Sequence, residues 1–122
     1  MNTFIRTLLA AGLLLIGQSA LACDYPERPE IPDGSTATKE EMLAAASAVK
    51  NYLAEVDTYL SCIEQAEAEA VAGMEEPSPE DLKRRADMLD KRFAAANEEK
   101  ALVGEMFNQQ VRSYNAKARS DD

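Results

Sequence analysis

Apolar residues between Thr38 and Ala72 recur every seven positions: Met42, Val49, Val56, Ile63 and Ala70. A second track, Ala45, Tyr52, Tyr59 and Ala66, interleaves with the first at three-four spacing, and a third, Ala46, Leu53 and Leu60, lies beside them. This pattern predicts one long amphipathic helix over 39–72 with a stripe wide enough to face a partner helix and something more. Its start is marked by Thr38 with Glu41 three residues on, the signature of a capping box, and Glu40 and Glu41 suit the positive end of the helix dipole. At 1.5 Å per residue such a helix is about 51 Å long.

Gly73 reads as its stop, Met74-Glu75-Glu76-Pro77 as a connection, and Ser78-Pro79-Glu80-Asp81 as the next start, with serine at the cap and proline at the first helical position. Beyond it Leu82, Ala86, Leu89, Phe93, Ala96, Lys100, Val103, Phe107, Gln110 and Tyr114 alternate four and three without a break. That predicts a second helix over 79–118, followed by a charged tail, 119–122. A short loop between two long helices makes them antiparallel neighbours. The fold class expected is therefore all-α: a coiled-coil-like two-helix hairpin.

Counting outward from the loop pairs Ala66 with Ala86, Ile63 with Leu89, Tyr59 with Phe93, Val56 with Ala96, Tyr52 with Lys100, Val49 with Val103 and Ala45 with Phe107. Lys100 is the odd member. Its stem suits Tyr52 while its ammonium reaches toward Glu55 or Glu99.

The start of the chain belongs to a different class of segment. Arg6 is followed by an apolar run from Leu8 to Ile16, a polar break at Gly17-Gln18-Ser19 and the small-x-small triplet Ala20-Leu21-Ala22. This reads as a cleaved signal peptide over 1–22, with a mature chain that begins at Cys23 and is periplasmic or secreted. From Cys23 to residue 37 comes an arm with Pro26, Pro29 and Pro32, excluded from regular helix and expected to run extended to a turn at Asp33-Gly34.

Export changes the meaning of the two cysteines, Cys23 and Cys62. An even count in an oxidising compartment points to a disulfide between them. Lipidation of Cys23 is the competing reading and the only route here to membrane association. Bacterial lipoprotein signals usually carry leucine three residues before the modified cysteine, where this chain has Ala20. Geometry allows the bond: Cys62 and Thr38 lie about 36 Å apart along the helix, and the arm spans about 46 Å in polyproline II. Laid antiparallel in the groove on the Cys62 side, over Ala48 and Met106, the arm reaches. Closing a loop of about 40 residues contributes roughly 4 kcal/mol in the loop-entropy model.

The opposite groove, flanked by Leu53, Leu60 and Val111 with Gly104 permitting close approach, is the candidate face for a protein partner or a homodimer.

Charge and composition narrow the chemistry. Of 13 basic and 22 acidic residues only Arg6 falls in the leader, so the mature chain is strongly acidic and lacks the basic face that nucleic acid requires. The acids are concentrated before residue 82 and the bases after it, which suits two helices folded together. With no histidine, no nucleophile-elbow serine and both thiols paired, the chain is expected to be neither an enzyme nor a cofactor carrier.

The carboxylate pairs Glu40 and Glu41, Glu64 and Glu67, and Glu98 and Glu99 read as solvated helix faces. The acidic turn, Glu75, Glu76, Glu80 and Asp81, lacks the spaced oxygen ligands of a calcium loop. No metal site is expected there or at Met42, Met88 and Met106, which sit at packing positions. Lys83, Arg84, Arg85, Lys91 and Arg92 form a basic cluster, but Glu64, Glu67, Glu69, Asp87 and Asp90 lie at the same height, so internal ion pairing is expected rather than phosphate or lipid binding.

Three segments carry a resemblance: Cys23-Asp24-Tyr25-Pro26 running on to Arg28-Pro29 and Ile31-Pro32-Asp33-Gly34, then Lys39-Glu40-Glu41-Met42, then Tyr59-Leu60-Ser61-Cys62-Ile63-Glu64. Together they resemble a group of small exported proteobacterial α-helical proteins with a Pro-rich arm and a cysteine pair. The resemblance implies export and the Cys23–Cys62 bond, and no activity. The leading expectation is an exported, non-catalytic interaction or structural protein of the bacterial envelope. The alternatives are a periplasmic holdase-type stress chaperone whose hairpin opens to expose Leu53, Leu60 and Phe107, or a lipid-anchored envelope protein.

Overall fold

The structure, a computed structural model, describes residues 23–120. The leader expected over 1–22 lies outside the described residues, as do Asp121 and Asp122 of the expected tail. Among the described residues two helices form the fold, α1 over Lys39–Ala72 and α2 over Pro79–Ser120, packed side by side and antiparallel. Arg119 and Ser120, expected in the tail, continue α2.

Each helix begins where its first side chains satisfy orphan amides. The Glu41 amide donates to Thr38 Oγ1 at 3.2 Å, and the Thr38 amide donates to the Glu41 carboxylate at 2.7 Å, completing the capping box. At α2 the Asp81 amide donates to Ser78 Oγ at 3.1 Å. The turn differs from the expectation in one respect. Gly73 keeps a right-handed conformation (φ −84°), and the left-handed residue is Glu76, at φ 45°. Gly73 still closes α1, its amide donating to the Glu69 carbonyl while the Met74 amide donates to that of Val71.

The core is the seam. Val49, Tyr52, Val56, Leu60, Ile63, Ala96 and Val103 are buried, with Leu53, Tyr59, Leu89, Phe93, Phe107, Ile31 and Cys23 packed against them. Burying a side chain such as Val, Leu or Ile contributes about 1.5–3 kcal/mol, so this short list carries most of the stability. Two expected layers are corrected. Ala66 and Ala86 are both exposed, because at that height the helices are joined by their neighbours: Arg85 donates two hydrogen bonds to the Glu67 carboxylate, at 2.7 and 3.0 Å. Lys100 pairs with Asp57, not with Glu55 or Glu99. Residues two apart on a helix lie about 200° apart around it, so Glu55 faces the arm while Asp57 faces the groove from which Lys100 emerges.

Candidate functional site

The place where the chain brings most chemistry together is the junction of the arm with the hairpin. The arm, residues 23–37, has no helix or strand and runs back along α1 from Cys62 to the start of that helix. Its first residue is bonded to Cys62, with the two Cα atoms 5.7 Å apart. Next, the Tyr25 ring meets the Tyr59 ring edge-on, centroids 4.9 Å apart, and its hydroxyl lies 3.4 Å from that of Tyr52. Tyr52 is 2 % exposed, and burial, helped by the Tyr25 hydroxyl, holds its phenol well above the ordinary range.

Further on, Arg28 crosses to α2 and forms an ion pair with Glu99. Both side chains are partly open to water, so the pair is worth about 0.2–1 kcal/mol. The arm ends in an Asx turn. Asp33 Oδ1 accepts from the Ser35 amide at 2.9 Å and from its hydroxyl at 2.6 Å, which holds that carboxyl below its usual range. The Gly34 amide donates to Gln110 Oε1 at 2.9 Å, and Gly34 presses so close to α2 that an added Cβ would stand 1.9 Å from the Gln110 carbonyl oxygen. The arm therefore touches both helices, α1 through Cys62, Tyr59 and Tyr52 and α2 through Glu99, Gln110 and Tyr114. The arm passes beside Ala48 on the expected path, where Pro29 and Pro32 border one hollow with Ala44 and Ala48.

On the opposite groove the expected face is only partly open. Leu60 is 8 % exposed and belongs to the seam, while Leu53, Gly104 and Val111 are half-buried, and nothing lies within 4 Å of a Cβ added at Gly104. Lys100 and Asp57 bridge the helices along this groove.

Four of the five members of the basic cluster, all but Lys91, have internal partners. Lys83 pairs with Asp87, Arg84 with Asp81 and Arg85 with Glu67, while Arg92 donates to the Tyr59 hydroxyl at 2.9 Å with its guanidinium 5.7 Å from that ring's centroid. Sequence spacing did not reveal the Arg92–Tyr59 contact, although Arg92 precedes the seam residue Phe93 that was paired with Tyr59. Met42 is buried, Met106 half-buried and Met88 60 % exposed, with Met88 and Met106 about 27 Å apart along α2. Among the described residues no three His, Cys, Asp or Glu side chains gather as metal ligands, and no helix is long and apolar enough to cross a membrane. No family model, no curated protein and no solved structure matches this chain.

Proposed function

We propose that the mature chain is an exported, non-catalytic interaction or structural protein of the bacterial envelope, whose working part is the hairpin with its covalently latched arm. The observation that carries this reading is the Cys23–Cys62 bond, because such bonds persist in oxidising compartments. It also weighs against a lipid anchor, since the Cys23 sulfur that acylation would use is already in the bond. Intact mass of the envelope-extracted protein tests the proposal. A chain beginning at Cys23 and two protons light is the expected result; an added acyl mass, or a reduced chain that still carries its leader, overturns it.

A holdase-type chaperone is the second reading, favoured by one observation: Leu53 and Phe107, which pack against the core that includes Leu60, are only half-buried. It predicts that reduction or acid raises suppression of client aggregation, whereas the leading reading predicts no change. Homodimerisation through Leu53, Gly104 and Val111 is compatible with either reading, and sedimentation of the oxidised mature protein over a range of concentrations decides it.

A further inference from the structure

Two hollows lie along the line where the arm meets α1. One, of about 410 Å³, is walled by Tyr25, Tyr59 and the disulfide and rimmed by Asp24, Thr58 and Glu55. The other, of about 490 Å³, is walled by Pro29, Pro32, Ala44 and Ala48 and rimmed by Glu30 and Glu41. Both volumes fall in the range of hollows that hold a bulky side chain or a small ligand. Of their α1 residues, Glu41, Ala44, Ala48, Glu55, Thr58 and Cys62 recur at spacings of three, four and seven, and Ala45 and Tyr59 flank this line, so the hollows share one side of the helix.

Charge decides what fits. Each rim carries two carboxylates, and no basic residue lines either hollow. The nearby cations are turned elsewhere: Arg28 to Glu99 on α2, Arg92 to the Tyr59 hydroxyl beside a separate hollow, and Lys39 to a hollow shared with Tyr114 and Lys117. Of the rim acids only Glu41 is engaged, holding the Thr38 amide through one of its two oxygens. An apolar trough with acidic rims is complementary to a chain that carries both apolar and cationic side chains.

We propose that this trough is a docking surface for an extended basic segment of another polypeptide, its apolar side chains seated in the two hollows and its lysines or arginines on the rims. This names the chemistry of the partner that the proposed interaction role requires. Thr58 and Ala44, near the centres of the hollows, are about 21 Å apart along α1, so an extended segment bridges them with anchors about six residues apart.

The probe is a synthetic peptide with two leucines at that spacing, each flanked by lysines, titrated into the oxidised mature protein and followed by NMR. Shifts at Ala44, Ala48 and Thr58 that weaken with added salt are expected. The double variant Glu30→Lys/Glu55→Lys is expected to weaken binding roughly tenfold or more. The same charge change placed elsewhere, in Glu64→Lys/Glu98→Lys, is expected to leave it within about twofold.

Equal weakening by the two double variants overturns the proposal, as does equal binding of a peptide with serine in place of leucine, an absence of shifts, or shifts confined to other surfaces. The wild-type shift map decides the matter alone if a variant fails circular dichroism. Any of these failures leaves the mass of the exported chain untouched, so the export reading stands or falls separately.

Discussion

Gly34 is fixed by what surrounds it. An added methyl would meet the Gln110 carbonyl oxygen at 1.9 Å, the Gln110 carbonyl carbon at 2.8 Å and the Tyr114 amide nitrogen at 2.9 Å. All three are backbone atoms of α2, which cannot swing aside as a side chain can. Gly34→Ala is therefore expected to lift the end of the arm, break the Gly34–Gln110 hydrogen bond and cost about 1–3 kcal/mol; a fall in the urea midpoint together with faster exchange of the Thr36 and Ala37 amides is the readout. Glu76 presents the reverse case. It holds a left-handed backbone at φ 45°, a conformation that costs an ordinary L-residue about 1–2 kcal/mol and glycine almost nothing. After the larger unfolded-state entropy of glycine is set against that relief, Glu76→Gly is expected to raise stability by about 0.5–1 kcal/mol, read as a higher urea midpoint at unchanged m-value.

At the scale of the elements, the capping box ties the start of α1 to pH. The Thr38 amide, and then the Thr38 hydroxyl, favour the ionised form of Glu41 and hold its carboxyl below the usual glutamate range. A group whose folded value is lowered contributes its stability above the unfolded value and loses it as pH falls through the folded one. NMR titration of the Glu41 side chain is thus expected to give a midpoint below that of a peptide glutamate, with the first turn of α1 loosening through the same acid range. In Glu41→Gln that pH dependence is expected to disappear from the first turn.

These helices were legible because their signals are local and repeated: heptads, Thr38 with Glu41, Ser78 with Pro79. What the sequence left hidden depends on rotation about the helix axis or on a neighbour's backbone. Lys100 has acids within reach in the chain at Glu55, Asp57 and Glu99, and only the turn of each helix shows that Asp57 shares its groove. Likewise, Asp33-Gly34 reads as a turn, whereas the contact that demands glycine there lies 76 residues away on α2. The hollows could not be read at all, since each is made jointly by α1 and an arm that has no periodic pattern.

For the whole molecule, the question is what keeps the arm on the hairpin. On α2 only Ala96 and Val103 are buried, so the seam alone is a thin core for a chain of this length. The non-covalent ties of the arm are modest: a ring contact, two tyrosine hydroxyls at a long 3.4 Å, one partly exposed ion pair and the Gly34 hydrogen bond. The bond at its far end closes a loop with a sequence separation of 39, and constraining the unfolded chain to that extent is worth about 2–4 kcal/mol. Replacing both cysteines, as in Cys23→Ser/Cys62→Ser, is therefore expected to lower the unfolding free energy by about 2–4 kcal/mol.

The loss should not be spread evenly. Val56, Ile63 and Val103 lie in the seam, while Tyr59 at its edge meets Arg92 of α2 and Tyr25 of the arm, which the bond anchors two residues away. Hydrogen exchange should then show the arm and the Gly34 amide opening together while the amides around Val56 and Val103 keep the protection of the remaining global stability. A variant that loses arm and seam protection in parallel would mean that the hairpin has no independent stability, and that the latch holds the helices together as well as the arm.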